Sequence, residues 1–229
     1  MKIIQGKYKE NDYTVLFHEL YENDNEFAMV MELCDDNLFS FFTRNKNPFT
    51  PKEIFDILMQ LNKSFKIMNE NNIVHRDINL NNILIKYTNK EETKFTCKVK
   101  LTNDSGKLRD LSENNKLYKL NRDINFMAPE LLKRNNYNEK CDLWSLGTLI
   151  YTLSFRTNPF TGDNILEVLE KINKKKKFEE TNDEDLNDLI KKLLVEDQIK
   201  RLNWNEYFNH RFFKRSNTIG NNKDSLLTI

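Results

Sequence analysis

The stretch Ile73-Val74-His75-Arg76-Asp77-Ile78-Asn79-Leu80-Asn81-Asn82-Ile83-Leu84-Ile85 decides how the rest of the chain is read. Two short apolar runs flank a polar loop whose only acid, Asp77, lies five residues before Asn82. The runs are short, branched and bounded by Asn clusters, so the pattern predicts two small strands with a loop held between them. Such a loop presents Asp77 and Asn82 toward one point. A carboxylate able to accept a hydroxyl proton and an amide oxygen able to hold Mg²⁺ are the pair that phosphoryl transfer needs there.

Working upstream, Thr50-Pro51-Lys52-Glu53 is a helix start. Thr50 caps, Pro51 takes the first helical position, and Glu53 completes a capping box. Ile54, Ile57, Leu58, Leu61, Phe65 and Met68 recur at helical spacing, which predicts a helix ending near Asn71. Leu38-Phe39-Phe41-Phe42 marks a short helix. Tyr13–Tyr21 and Glu26–Cys34 alternate as strands and are joined by the turn-rich Glu22-Asn23-Asp24-Asn25, an antiparallel pair. Met1–Ile4 reads as the last turn of a helix.

Downstream, Phe95–Leu101 alternates as a strand after a polar excursion at Lys86–Glu92, and residues 102–125 are polar and irregular. Asp142–Leu153 is apolar enough on every side to be a buried helix. Further helices are predicted over Ile165–Ile172 and around Leu186–Leu194, and a last one is opened by the Asn203/Glu206 capping box. Residues 216–229 read as a loose tail.

Composition narrows the classes. The 229 residues carry a net charge of +1, so electrostatics gives no case for nucleic acid or a membrane surface as the main partner. No apolar run has the length of a bilayer crossing, and the start of the chain lacks a signal-peptide pattern. Cys34, Cys97 and Cys141 are an odd number at wide spacing. They read as reduced thiols in an intracellular, cytoplasmic setting, not as a disulfide framework or a zinc site.

The loop at 75–82 resembles the catalytic loop of eukaryotic protein kinases (His-Arg-Asp, four residues, Asn), and other landmarks of that family follow in order. Asp104-Ser105-Gly106 resembles the metal-binding turn. Ala128-Pro129-Glu130 matches the Ala-Pro-Glu element, and Asp142–Gly147 resembles the start of the family's central helix. Arg201 fits the arginine that pairs with Glu130, and Val30–Cys34 resembles the strand and hinge that hold adenine. The Ser/Thr branch fits better than the Tyr branch.

The resemblance implies an α/β (α+β) two-lobe fold with a helical C-lobe and a truncated β N-lobe. Residues 1–34 would be the remnant of the N-lobe, 35–215 the C-lobe and 216–229 the tail. It also implies transfer of the ATP γ-phosphoryl group to protein Ser or Thr hydroxyls. Asp77 would be the base, and Asn82 and Asp104 the Mg²⁺ ligands. The Glu32 carbonyl and Cys34 amide would meet adenine, with Leu84 as its apolar floor. Asp142 would cap its helix and orient the loop, and His75 would pack in the core and hydrogen-bond the backbone. Arg76 would either meet a phosphate on the 107–122 loop, where Ser112 and Tyr118 are available, or be structural.

Four departures set activity against the alternative of a catalytically inactive scaffold that binds partner proteins. Residues 1–12 supply neither the Gly-rich loop nor the strand Lys that hold ATP phosphates. Asn79 stands where the family has a Lys. Ser105 replaces an aromatic, with the metal acid in register at either Asn103 or Asp104. Arg122–Asn125 replaces small residues before Met-Ala-Pro-Glu. The expectation is an impaired enzyme with a protein substrate, or a scaffold. The exposed edge of the Tyr13–Tyr21 and Glu26–Cys34 pair would be open to a partner strand or a second copy.

Overall fold

The computed structural model describes residues 15–22, 27–87, 95–99, 123–174 and 177–217. The architecture is α+β, with its core among the helices. Helix α1 is Leu38–Arg44, α2 Pro51–Glu70, α3 Pro129–Leu132, α4 Lys140–Phe155, α5 Ile165–Lys174, α6 Glu184–Leu193 and α7 Trp204–Phe208. Strands β1 (Phe17–Glu22) and β2 (Phe27–Met31) pair antiparallel, with the register slipping between Phe17 and Glu19. A second antiparallel sheet has the order β3 (Asp36–Asn37), β4 (Ile83–Tyr87), β5 (Phe95–Val99).

Helix α2 forms as its sequence dictates. The Thr50 side chain accepts from the Glu53 N–H, the Glu53 carboxylate accepts from the Thr50 N–H at 2.7 Å, and Pro51 opens the first turn. The expected apolar positions from Ile54 to Met68 are all buried. Thr50→Ala removes the cap and strands an N–H of the first turn. It should lower stability by about 1 kcal/mol in chemical denaturation.

Helix α4 is buried from Cys141 to Ser154, as its unbroken apolar character requires. Gly147 lets α6 approach, since a Cβ there would lie 2.7 Å from the Leu193 Cβ. Aromatic rings pack along α2, with Phe55 against Phe212 and Phe65 against Trp204. Asn203 and Glu206 form the expected capping box at α7. The chain continues through a 3₁₀ turn, Arg211–Asn217, whose Phe212 is buried.

One element departs from the sequence reading. Ile73-Val74 is not a strand. Asn72 takes a left-handed conformation (φ 54°), its N–H bonds the Asn69 carbonyl, and the Ile73 N–H bonds back to the Met68 carbonyl at 2.9 Å. These two bonds are a Schellman closure of α2, so the first backbone donor of the run caps a helix rather than joining a ladder. The second run is a strand, and Ile83 and Ile85 of β4 are buried. Met1–Ile4, Lys100-Leu101 and residues 218–229 lie outside the described residues.

Candidate active site

The site is the loop between the end of α2 and β4. Its backbone is hung from α4 by one side chain. Asp142 is fully enclosed, and its two carboxylate oxygens accept the His75 and Arg76 N–H groups, each at 2.7 Å. Arg76 sits at φ 64°, a conformation that L side chains adopt reluctantly, and Asp142 holds the turn through that residue's own amide. Burial pushes the Asp142 carboxyl upward, against the opposing pull of the neighbouring His75 and Arg76 and their two N–H donors. The expected cap on the helix is not what Asp142 provides. Helix α4 begins at Lys140 with Glu139 as its N-cap, and Asp142 turns its carboxylate to the loop instead.

Asp77 and Asn82 come together as their spacing implied. The Asn82 Nδ2 donates to the Asp77 carbonyl at 2.8 Å and to its Oδ2 at 2.6 Å. Asp77 is half-buried, between the bend at Arg76 and the buried anchors Ile78 and Leu80. The His75 Nδ1 accepts the Asp77 N–H at 3.3 Å, so His75 is half-buried and bonded to backbone. Arg76 stacks on Tyr137, 5.1 Å from the ring centroid. Its buried Nε finds no hydrogen-bond partner among the described residues.

Sequence reasoning missed a role for Asn79, which it read only as an absent charge. Asn79 is the N-cap of a 3₁₀ turn, Leu80–Asn82, and its Oδ1 accepts the N–H groups of Asn81 and Asn82. Its Nδ2 donates to Asp77 Oδ1 at 2.9 Å. The signal available in sequence was Asn79 two and three residues ahead of Asn81 and Asn82, the geometry of an Asx cap.

The expected adenine-facing residues lie on the approach to the second sheet. The Glu32 N–H bonds the Leu16 carbonyl at 2.8 Å, and the Glu32 carboxylate lies 3.7 Å from the Lys86 ammonium on β4. Cys34 is half-buried, and Leu33 beside it is exposed. Leu84 is half-buried on β4 and pairs with Asn37 of β3. Asp104 and Ser105, and with them the metal-binding turn, lie outside the described residues, as do Ser112 and Tyr118.

Behind the loop, Glu130 of α3 and Arg201 form a buried bidentate pair at 2.7 and 2.9 Å. The remaining Arg201 donors meet the carbonyls of Val195, Lys140 and Glu196. The segment ahead of α3 is held by several bonds, among them one from Asn158 Nδ2 to the Asn125 carbonyl. The Ser145 hydroxyl donates to the Phe126 carbonyl, and Asn125 Oδ1 accepts the Gly162 N–H. Burial pushes the Asp123 carboxyl up, only partly offset by the Asn125 N–H. The Cys141 thiol is also driven up, by burial first and then by the neighbouring Asp142 and Glu130, so it is an inert core group.

The chain resembles known proteins along most of its length. The chain is 30% identical over 207 residues to the serine/threonine-protein kinase atg1 of Dictyostelium discoideum, covering 86% of this chain and 29% of that protein. It is 26% identical over 203 residues to serine/threonine-protein kinase ATG1b of Arabidopsis thaliana, covering 86% and 28%. It is 29% identical over 220 residues to calcium-dependent protein kinase 5 of Plasmodium falciparum, covering 93% and 37%. The chain thus spans roughly a third of the length of these relatives. The family model described as the protein kinase domain matches residues 3–213, and the chain belongs to that family.

Proposed function

We propose that this chain carries the catalytic loop of a serine/threonine protein kinase, which moves the γ-phosphoryl group of ATP to a Ser or Thr hydroxyl of a protein. The observation that carries the reading is the Asp77–Asn82 pair: a half-buried carboxylate and an amide fixed to each other on a loop anchored from behind. Asp77 is the base that takes the hydroxyl proton as the oxygen attacks. Residues 1–34 correspond to the remnant of the N-lobe, 35–215 to the helical C-lobe, and 216–229 to the tail. The Glu32 carbonyl and Cys34 amide bind adenine over Leu84.

The residues present suit Mg²⁺. The Asn82 Nδ2 is committed to Asp77, its carbonyl oxygen has no partner among the described residues, and hard oxygen donors are what this cation takes. Asn82 and Asp104 would hold it, and bound Mg²⁺ would neutralise charge on the phosphates.

A second reading, a protein-binding scaffold without transfer activity, is favoured by one observation. Both ends of the Asn79 amide are already bonded within the loop, and Asn79 brings no positive charge to the phosphate. Loss of such charge stabilisation costs roughly 10²–10³ in rate.

The readings separate in an assay of labelled phosphate transfer from Mg²⁺·ATP to Ser/Thr peptides, using the protein and its Asp77→Asn variant. Transfer by the protein that disappears in the variant is expected. No transfer by the protein at saturating Mg²⁺·ATP leaves the scaffold, and transfer that survives Asp77→Asn removes Asp77 from the chemistry.

A further inference from the structure

Asn79 is a filled position, not a vacant one. Its side chain is almost wholly buried, at 5% exposure, and all four of its hydrogen-bonding valences are engaged. Oδ1 accepts the Asn81 N–H at 2.9 Å and the Asn82 N–H at 3.2 Å. Nδ2 donates to Asp77 Oδ1 at 2.9 Å and to the Asp77 carbonyl at 3.3 Å. Asn82 meets the same carboxylate from the other side, on Oδ2. The Asp77 carboxylate therefore lies in a fork of two neutral amides, one on each oxygen.

The two tines are coupled. The Asn79 oxygen holds the backbone N–H of Asn82, so the orientation of Asn82 depends on Asn79. Asp77, Asn79 and Asn82 close a ring of hydrogen bonds within six residues of chain. A lysine at position 79 has three donors and no acceptor, so it can neither cap the 3₁₀ turn nor complete this ring.

We infer that Asn79 is a positioning residue that locks the base and the metal-holding amide into one unit, instead of reaching for the transferred phosphate. The roles given to Asp77 and Asn82 rest on the kinase reading; the ring itself does not. One consequence is that the Asp77 orientation is set before any phosphate binds, which is what a pre-organised loop requires. The other is that restoring a lysine does not restore what the family's lysine does.

The test combines an arm that needs no activity with one that uses it. In ¹H–¹⁵N spectra of the whole chain, the Asn79 side-chain amide protons should exchange at least about tenfold more slowly than those of an exposed Asn. Their resonances should move in Asp77→Asn, which keeps the shape and removes the charge. A double-mutant cycle of Asp77→Ala and Asn79→Ala should show a coupling of about tenfold in the unfolding equilibrium, the size expected for a hydrogen bond to a charged group. A freely exchanging amide unmoved by Asp77→Asn, or singles that combine within twofold, would make Asn79 a turn cap only and overturn the inference. Where phosphate transfer is measurable, Asn79→Lys should lower kcat with KM for ATP little changed, whereas a rise in kcat would mean the position is a phosphate site wanting its charge. Absence of transfer strikes the kinase reading and leaves the cycle and the spectra to judge Asn79.

Discussion

Arg201→Ala is expected to destabilise the fold by about 3–5 kcal/mol, enough to threaten a domain of ordinary stability. Arg201 is entirely buried, and each of its five N–H groups has a partner: two on Glu130 and one each on the carbonyls of Val195, Lys140 and Glu196. Its guanidinium also lies 5.1 Å from the Trp144 ring centroid. Truncation leaves the Glu130 carboxylate charged and enclosed, takes a donor from each of three carbonyls, and opens a void beside Trp144. Replacing both partners by apolar residues, as in Glu130→Leu with Arg201→Met, should recover part of the loss, because no charge is then left alone. Recovery should be incomplete, since the three carbonyls do not regain the donors that Arg201 gave them. Arg201→Lys should fall between the protein and the alanine variant, because an ammonium keeps the charge but not the fork. Urea denaturation of the set measures this. An alanine variant within about 0.5 kcal/mol of the protein would mean that the pair does not hold α3 to the turn after α6.

That pair is legible in the sequence, because the order of landmarks along the chain places Glu130 and Arg201 in the same role. The helix starts at Thr50 and Asn203 were legible for a different reason: a capping box is a local pattern that needs only four residues to be recognised. Helix α4 was legible because a run apolar on all sides has nowhere to go but the interior. The misses share one cause. Ile73-Val74 has strand composition, yet the conformation of Asn72 decides where its first N–H points, and composition does not encode that choice. Asn79 looked like a deficit because a comparison of residue types reports the missing charge. The hydrogen bonds that give Asn79 its place exist only once Leu80–Asn82 has turned. Asp142 was rightly tied to the loop and wrongly given a cap, since an acid in the first turn of a helix fits either role in sequence.

The opposite end of the site gives the second large effect. Asp142→Ala should lower stability by about 2–4 kcal/mol and, if the loop transfers phosphate, cut kcat by about 10²-fold or more. Two half-buried N–H groups, those of His75 and Arg76, lose acceptors that lie 2.7 Å away, and an unmade bond of that kind costs about 1–3 kcal/mol. The Arg76 backbone then has no clamp holding it at φ 64°, so its return to a right-handed conformation is the relaxation to expect. Asp77 is the next residue, and a displacement of about 1 Å in a reacting group is enough for a rate loss of that order. Against this stands the relief of removing a buried carboxylate, whose ionisation burial disfavours. That opposing effect limits the loss of stability without protecting the geometry. Asp142→Asn sharpens the comparison: it recovers the same relief and keeps one acceptor, but sets an amide N–H₂ against a backbone N–H. Its stability should lie nearer the protein than the alanine variant does, while its kcat should still fall, because one of the two N–H groups is left without a partner. Chemical denaturation and single-turnover transfer on the same samples separate the two quantities. If both variants keep stability within about 0.5 kcal/mol and turnover within about twofold, the loop carries its own shape through Asn79 and Asn82, and Asp142 only accompanies it.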